Sequence, residues 1–183
     1  MKTLVIHPED KSTVFLKGIY ENIPEEEKTV ITSGINNEEL IELIKSHDRV
    51  MMMGHGSPYG LFKVGKFNIS DTYLINKKHV PLLAEKEDNV FIWCNADMFV
   101  NFYNLKGFYT GMFISEVGEA YYCGLPGTTQ DIVDESNYGF TNIIKKFVNE
   151  GKEVTYENVR KEYGIIAEEN PVAFYNFTRL YKR

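Results

Sequence analysis

Cysteine is scarce in this chain, with only Cys94 and Cys123 among 183 residues. Two thiols cannot build a disulfide framework, and their scarcity fits a reducing compartment. Long apolar runs are missing as well. No stretch offers the roughly 18 uninterrupted apolar residues that a membrane span needs, and Leu4-Val5-Ile6 is too short for the apolar region of a signal peptide. The expectation is a cytoplasmic protein without membrane association, a secreted form read without its leader staying open. Basic charge is in deficit: 20 Lys and Arg face 26 Asp and Glu, a net charge of −6. That balance argues against a nucleic-acid or anionic-membrane partner and leaves a cationic substrate possible. Neither G-x-G-x-x-G nor a Gly-Lys-Ser/Thr P-loop occurs, so no nucleotide cofactor is expected. Internal repeats, low-complexity tracts and Pro/Gly/Ser-rich linkers are also lacking. At roughly 150 residues per domain, residues 1–183 predict a single α/β domain.

What is present is a series of short apolar runs that end in turn residues. Leu4-Val5-Ile6 stops at His7-Pro8, Val30-Ile31-Thr32 at Ser33-Gly34, Val50-Met51-Met52-Met53 at Gly54-His55-Gly56, and Val90-Phe91-Ile92-Trp93 at Cys94-Asn95. Fully apolar runs of this length suit buried parallel strands. Helical signals fall between them. Asn36 or Asn37 can cap a helix carrying Leu40, Leu43 and Ile44 on one stripe. Val80 to Lys86 suggests a short helix, and Ala96 to Leu105 a longer one with Gly107 just past its end. Gly111 to Ser115 is expected as a fifth strand. Phe140, Ile143, Ile144, Phe147 and Val148 form the best amphipathic stripe, stopping at Gly151, and Thr155 can cap a further helix through Tyr163. Gly60 to Ile69 alternates and suggests a peripheral hairpin. The acidic run Glu25-Glu26-Glu27 reads as a solvated turn. Strands alternating with helices predict right-handed crossovers, a mostly parallel sheet and a three-layer α/β/α sandwich.

In open α/β sheets, ligands bind beyond the carboxyl ends of the strands. His7, His55 and Cys94 all fall there. Glycines on both sides of His55 allow a turn that brings backbone N–H groups close to a ligand. A thiol on a neighbouring strand end would then lie within reach of that imidazole, pairing a nucleophile with a base. Equally, a Cys at the end of an apolar strand can be inert core. Cys123 has no such partner and reads as packing, and His47 and His79 read as surface or helix-end residues.

Two segments carry a resemblance. Val50-Met51-Met52-Met53-Gly54-His55-Gly56 and Val90-Phe91-Ile92-Trp93-Cys94-Asn95-Ala96, with Gly60-Leu61-Phe62 after the first, resemble the caspase-like cysteine peptidases, a group that includes the clostripains, gingipains, legumains and bacterial CHAT domains. The likeness in element order spans roughly residues 1 to 150. It implies a caspase-like fold and a hydrolase with a Cys–His dyad, no metal and no cofactor. Cys94 would attack a peptide carbonyl, His55 would move the proton to the leaving amine, and the N–H groups of Gly56 and Cys94 would hold the oxyanion. The substrate would be a protein or peptide. Asp97 and Glu116 would favour a basic residue before the cleaved bond. Trp93 departs from the small or acidic residue common before the family's Cys, and its indole would fill part of the substrate pocket. Three other readings stay open: a peptidase-like module that binds without cleaving, a receiver- or flavodoxin-like domain, and a zinc site from His7, His55 and Cys94. A receiver needs an acceptor Asp where this chain has Gly54-His55, and the zinc ligands include no close pair.

Overall fold

The computed structural model describes residues 1–8, 10–65, 67–150 and 154–183. Its centre is a six-stranded sheet built from β1 (Thr3–Ile6), β2 (Lys28–Ile31), β3 (Arg49–Met53), β7 (Asn89–Ile92), β8 (Gly107–Thr110) and β9 (Leu180–Lys182). Their order across the sheet is β2-β1-β3-β7-β8-β9. The first five strands run parallel and β9 returns antiparallel to β8. A separate antiparallel sheet, β4 (Gly56–Ser57), β5 (Gly60–Phe62) and β6 (Tyr73–Ile75), follows β3. Of the hairpin expected over Gly60 to Ile69, only β5 lies within those bounds, and it pairs with β4 before them and β6 after them.

Alternate residues of each central strand feed two apolar clusters. Val5, Met51, Met53, Val90, Ile92 and Phe108 pack with α1 (Lys17–Tyr20), α6 (Gln130–Asn149) and α7 (Tyr156–Ala167). Leu4, Ile6, Val50, Met52, Phe91 and Tyr109 pack on the other side with α2 (Asn37–Ser46), α3 (Val80–Ala84) and α4 (Ala96–Tyr103). Both faces of the sheet are therefore covered, as fully apolar parallel strands require. The result is an α/β fold compatible with three layers. Two further helices, α5 (Val117–Tyr122) and α8 (Pro171–Phe177), enclose a small cluster around Ile114, Ala120, Val133 and Val172.

Local chemistry fixes the ends of these elements. Asn36 closes a capping box with Glu39 at the start of α2, and Thr155 accepts from Asn158 N–H at the start of α7. The stripe from Phe140 to Val148 is buried as expected, but its helix begins more than two turns earlier, at Gln130. Gly151, its expected stop, lies outside the described residues.

One strand is displaced from its expected position. Gly111 to Ser115 is not a strand, and β8 lies just before it. Asn104 takes the left-handed conformation (φ 57°, ψ 38°) and ends α4 three residues before Gly107. That frees Gly107 to open the strand at φ 133°, where a Cβ would meet the Asn89 carbonyl oxygen at 2.0 Å. His47 and His79 stand at helix ends, one of the two positions expected of them, but are buried and not at the surface. The His47 ring bridges the Leu43 carbonyl (2.7 Å) and Thr29 Oγ1 (2.9 Å), and His79 Nδ1 accepts from Asn76 N–H. Glu25 to Glu27 form an exposed single turn of 3₁₀ helix, as a solvated turn should.

Candidate functional site

Strands β3 and β7 are hydrogen-bonded neighbours, and Gly54 N–H continues their pairing by donating to Ile92 C=O (3.0 Å). Their carboxyl ends therefore deliver His55 and Cys94 to one place. Both side chains line a recess with Thr13, Phe15, Leu16, Gly54, Ile92, Trp93, Phe113 and Ser115. Its volume is about 20 Å³, room for roughly one water. Just beyond the thiol, Asn95 holds a left-handed conformation (φ 66°, ψ 30°) that few residues other than Gly tolerate as well as Asn. This turn swings the chain from β7 directly into α4.

The thiol is built as a neutral donor. Cys94 Sγ–H points to the Phe113 carbonyl (3.5 Å). Burial pushes its pKa up to about 11, with the Glu119 carboxylate adding to the effect. The activation expected from the neighbouring imidazole is therefore absent in this arrangement, since a thiolate needs solvation or a nearby cation. The two residues after Phe113 are held by side chains that no sequence pattern marks. The Asn176 side chain on α8 accepts from Ile114 N–H (2.7 Å) and donates to Ile114 C=O (3.0 Å), while Asn137 on α6 donates to Ser115 C=O (2.9 Å).

The imidazole is engaged elsewhere. His55 Nε2 lies 2.7 Å from Ser12 Oγ and 3.0 Å from Asp10 Oδ2, both from the loop after β1. Asp10 Oδ1 in turn accepts from Ser12 Oγ (2.8 Å), Ser12 N–H (3.0 Å) and Thr13 N–H (3.1 Å). Burial opposes the charge on Asp10, but these bonds and His55 outweigh it and hold the carboxyl below its usual range. An ionised carboxylate only accepts, so Nε2 carries a proton, which it directs to Ser12 Oγ and Asp10. Nδ1 is then the nitrogen of a neutral His55 ring that can take a proton. Sequence reasoning overlooked Asp10 and Ser12 because Asp10-Lys11-Ser12-Thr13 has the composition of any polar turn.

The remaining expected residues divide. Trp93 is buried, packs edge-on against Phe91 and Phe99, and donates Nε1–H to Ser57 C=O (3.1 Å). Its indole sits so close to Gly56 that a Cβ there would meet Trp93 Cδ1 at 2.1 Å. Gly56 pairs with Leu61 in the small sheet, and because Phe62 N–H donates to His55 C=O, that pair is the non-hydrogen-bonded kind. The ladder register thus leaves the Gly56 N–H unused. Glu116 is exposed at the N-cap of α5 and lines a groove of about 560 Å³ beside the recess. Asp134 and Asn137 from α6, and Lys11, Ser12 and Val14 from the β1 loop, line the same groove. Asp97 lines neither space. It lies in the first turn of α4, where burial raises its pKa.

His7 does not reach a metal-like cluster. It is fully buried, with Nδ1 3.0 Å from the Tyr20 hydroxyl, and burial lowers its pKa to about 4. Among the described residues, no three His, Cys, Asp or Glu side chains are arranged to hold a metal ion. Also among them, no helix is long and apolar enough to cross a membrane. Cys123 sits partly buried at the end of α5, packed on the cluster around Ile114. No protein-family model, curated protein or solved structure matches this chain.

Proposed function

We propose that the chain is a hydrolase of the cysteine peptidase class, caspase-like in kind, and that Cys94 and His55 are its reactive pair. The observation that carries this reading is the meeting of both side chains in one recess at the carboxyl ends of adjacent strands. Because the resting thiol is neutral, attack would proceed with proton transfer rather than from a preformed thiolate. His55 Nδ1 takes the Sγ proton as sulfur bonds to the carbonyl carbon, and the same proton then passes to the departing amine. Water afterwards hydrolyses the thioester. The unused Gly56 N–H and the Cys94 N–H are the donors assigned to the carbonyl oxygen.

The neighbouring groove supplies the substrate preference. Glu116 and Asp134 lie in its wall against one basic side chain, Lys11, which favours a peptide with Lys or Arg near the cleaved bond. A peptide library varied at the residue before that bond tests the assignment. Cleavage after Lys or Arg, lost in Cys94→Ala, is the expected result. A preference for Asp or large apolar residues would overturn the basic specificity.

A second reading has its own support. A recess of about 20 Å³ beside a buried indole suits a domain that binds peptides without cleaving them. Binding to the same library with no hydrolysis would select it.

A further inference from the structure

The segment after β1 touches both the recess and the groove. Thr13, Phe15 and Leu16 line the recess, whereas Lys11, Ser12, Val14 and again Phe15 line the groove. One short stretch of chain is therefore the wall between a space for about one water and a space of about 560 Å³. Its attachments are unequal. At its carboxyl end Leu16, Ile19 and Tyr20 are buried in the main core, and the Phe15 carbonyl accepts from Thr141 Oγ1 (3.3 Å). Its amino end is held to the site through one knot of polar bonds. Asp10 accepts from Ser12 and Thr13 while Asp10 and Ser12 together engage His55 Nε2. Asp10, Ser12 and His55 are partly exposed, so water can replace the bonds among these three, while Thr13 is buried.

We propose that residues 10–15 are a lid over the Cys94–His55 recess, anchored at Leu16, closed here and latched by Asp10 and Ser12 on His55. Released, the lid joins the recess to the groove and gives a peptide access to the thiol. Closed, it leaves Cys94 only partly exposed and directed at the Phe113 carbonyl. Val14, an exposed apolar residue on the groove side, is placed to be pushed by whatever enters the groove. The inference rests on Cys94 and His55 being the reactive pair, yet it concerns access and not turnover.

Alkylation by iodoacetamide measures access directly, with Cys123 as the reference thiol in the same molecule. In Ser12→Ala and in the isosteric Asp10→Asn, the ratio of Cys94 to Cys123 labelling rates should rise about tenfold over the unmodified protein, the size expected for losing a charge-assisted hydrogen bond. A urea unfolding midpoint equal to that of the unmodified protein separates lid release from general loosening of the fold. Hydrogen exchange over residues 10–15 of Asp10→Ala provides the second reading, since there Ser12 and Thr13 N–H lose their Oδ1 acceptor. Faster exchange there together with a raised ratio supports the lid. An unchanged ratio in both variants overturns it, whether or not exchange quickens. Failure of the peptidase reading looks different: the ratio rises while no peptide is cut.

Discussion

The two ends of the central sheet use polar residues in opposite ways. At the amino end, side chains are sunk into the frame and bound to it. Arg49, 2% exposed, donates to Thr3 Oγ1 (3.1 Å) and lies 3.5 Å from Asp88 Oδ2. The Asn89 amide, fully buried, donates to the carbonyls of Leu83, Lys86 and Lys106 and so ties three chain segments together. A hollow of about 670 Å³, larger than the groove of about 560 Å³, also lies at this end, but the charges lining it include the paired Lys106 and Glu87. At the carboxyl end, apart from the buried His7 and Thr110, the polar groups around the recess are half exposed and bound mainly to one another: Asp10 to Ser12, Ser12 to His55. Polar groups that hold a frame are replaceable only at a cost in stability, while groups that hold each other can be exchanged for water or substrate. Hollow size alone would have pointed to the wrong end.

The sharpest break in this comparison comes from the amino end. Arg49→Met should destabilise the protein by about 3 kcal/mol, because it removes the buried member of an ion pair with the partly exposed Asp88 and the donor to Thr3 Oγ1. Urea unfolding monitored by circular dichroism reads that loss. Equivalent truncation at the other end, His55→Ala, should cost about 1 kcal/mol or less, since the ring is partly exposed and its partners can turn to water.

Next in size is an acid effect between the two ends. His7 has its pKa lowered from 6.5 to about 4 by burial, so the unfolded chain binds a proton that the folded protein refuses. Stability is full above about pH 6.5 and falls as pH drops towards 4, by roughly 3 kcal/mol. His79, whose pKa burial also lowers, adds in the same direction. Unfolding midpoints measured from pH 7 to 4.5 should show the decline, and His7→Gln should flatten it.

These residues also show how much of the molecule was legible beforehand. The strand ends at His7, His55 and Cys94 were readable because fully apolar runs stopped abruptly at polar or glycine residues, a signal carried by neighbouring positions. The α/β class and the mostly parallel sheet followed from the alternation of such runs with helical stripes. Gly107 was misread as a helix stop because Asn104 can supply the same left-handed cap. Strand β9 and helix α8, three and seven residues long, are too short for a periodic pattern to stand out, and β9 exists because β8 offers it an open edge. Asp10 and Ser12 were invisible for a different reason. Their importance comes from a contact with His55 more than forty positions away, and no local pattern encodes that.

A smaller effect sharpens the carboxyl end itself. Gly56→Ala places a methyl against Trp93 and the Gly60 carbonyl oxygen, at 2.1 and 2.7 Å before relaxation. Overpacking of this kind costs about 1–3 kcal/mol. Trp93 is the chain's single tryptophan, so its fluorescence emission reports the site without interference. A red shift should accompany the substitution as the indole is displaced towards water. An unchanged spectrum would mean that the backbone gives way instead. Smallest of all is Glu116→Gln, whose exposed position predicts a stability change within about 0.5 kcal/mol. Its expected mark is a weaker preference for Lys and Arg peptides.

The claim that most needs testing is that Cys94 reacts because His55 stands beside it. A peptidyl electrophile carrying Arg next to its reactive carbon, followed by mass spectrometry of the two thiols, tests it in one measurement. The account predicts modification at Cys94 and little at Cys123, with the Cys94 signal falling at least tenfold in His55→Ala. Equal modification of the two thiols, or Cys94 labelling that survives the loss of His55, would contradict it.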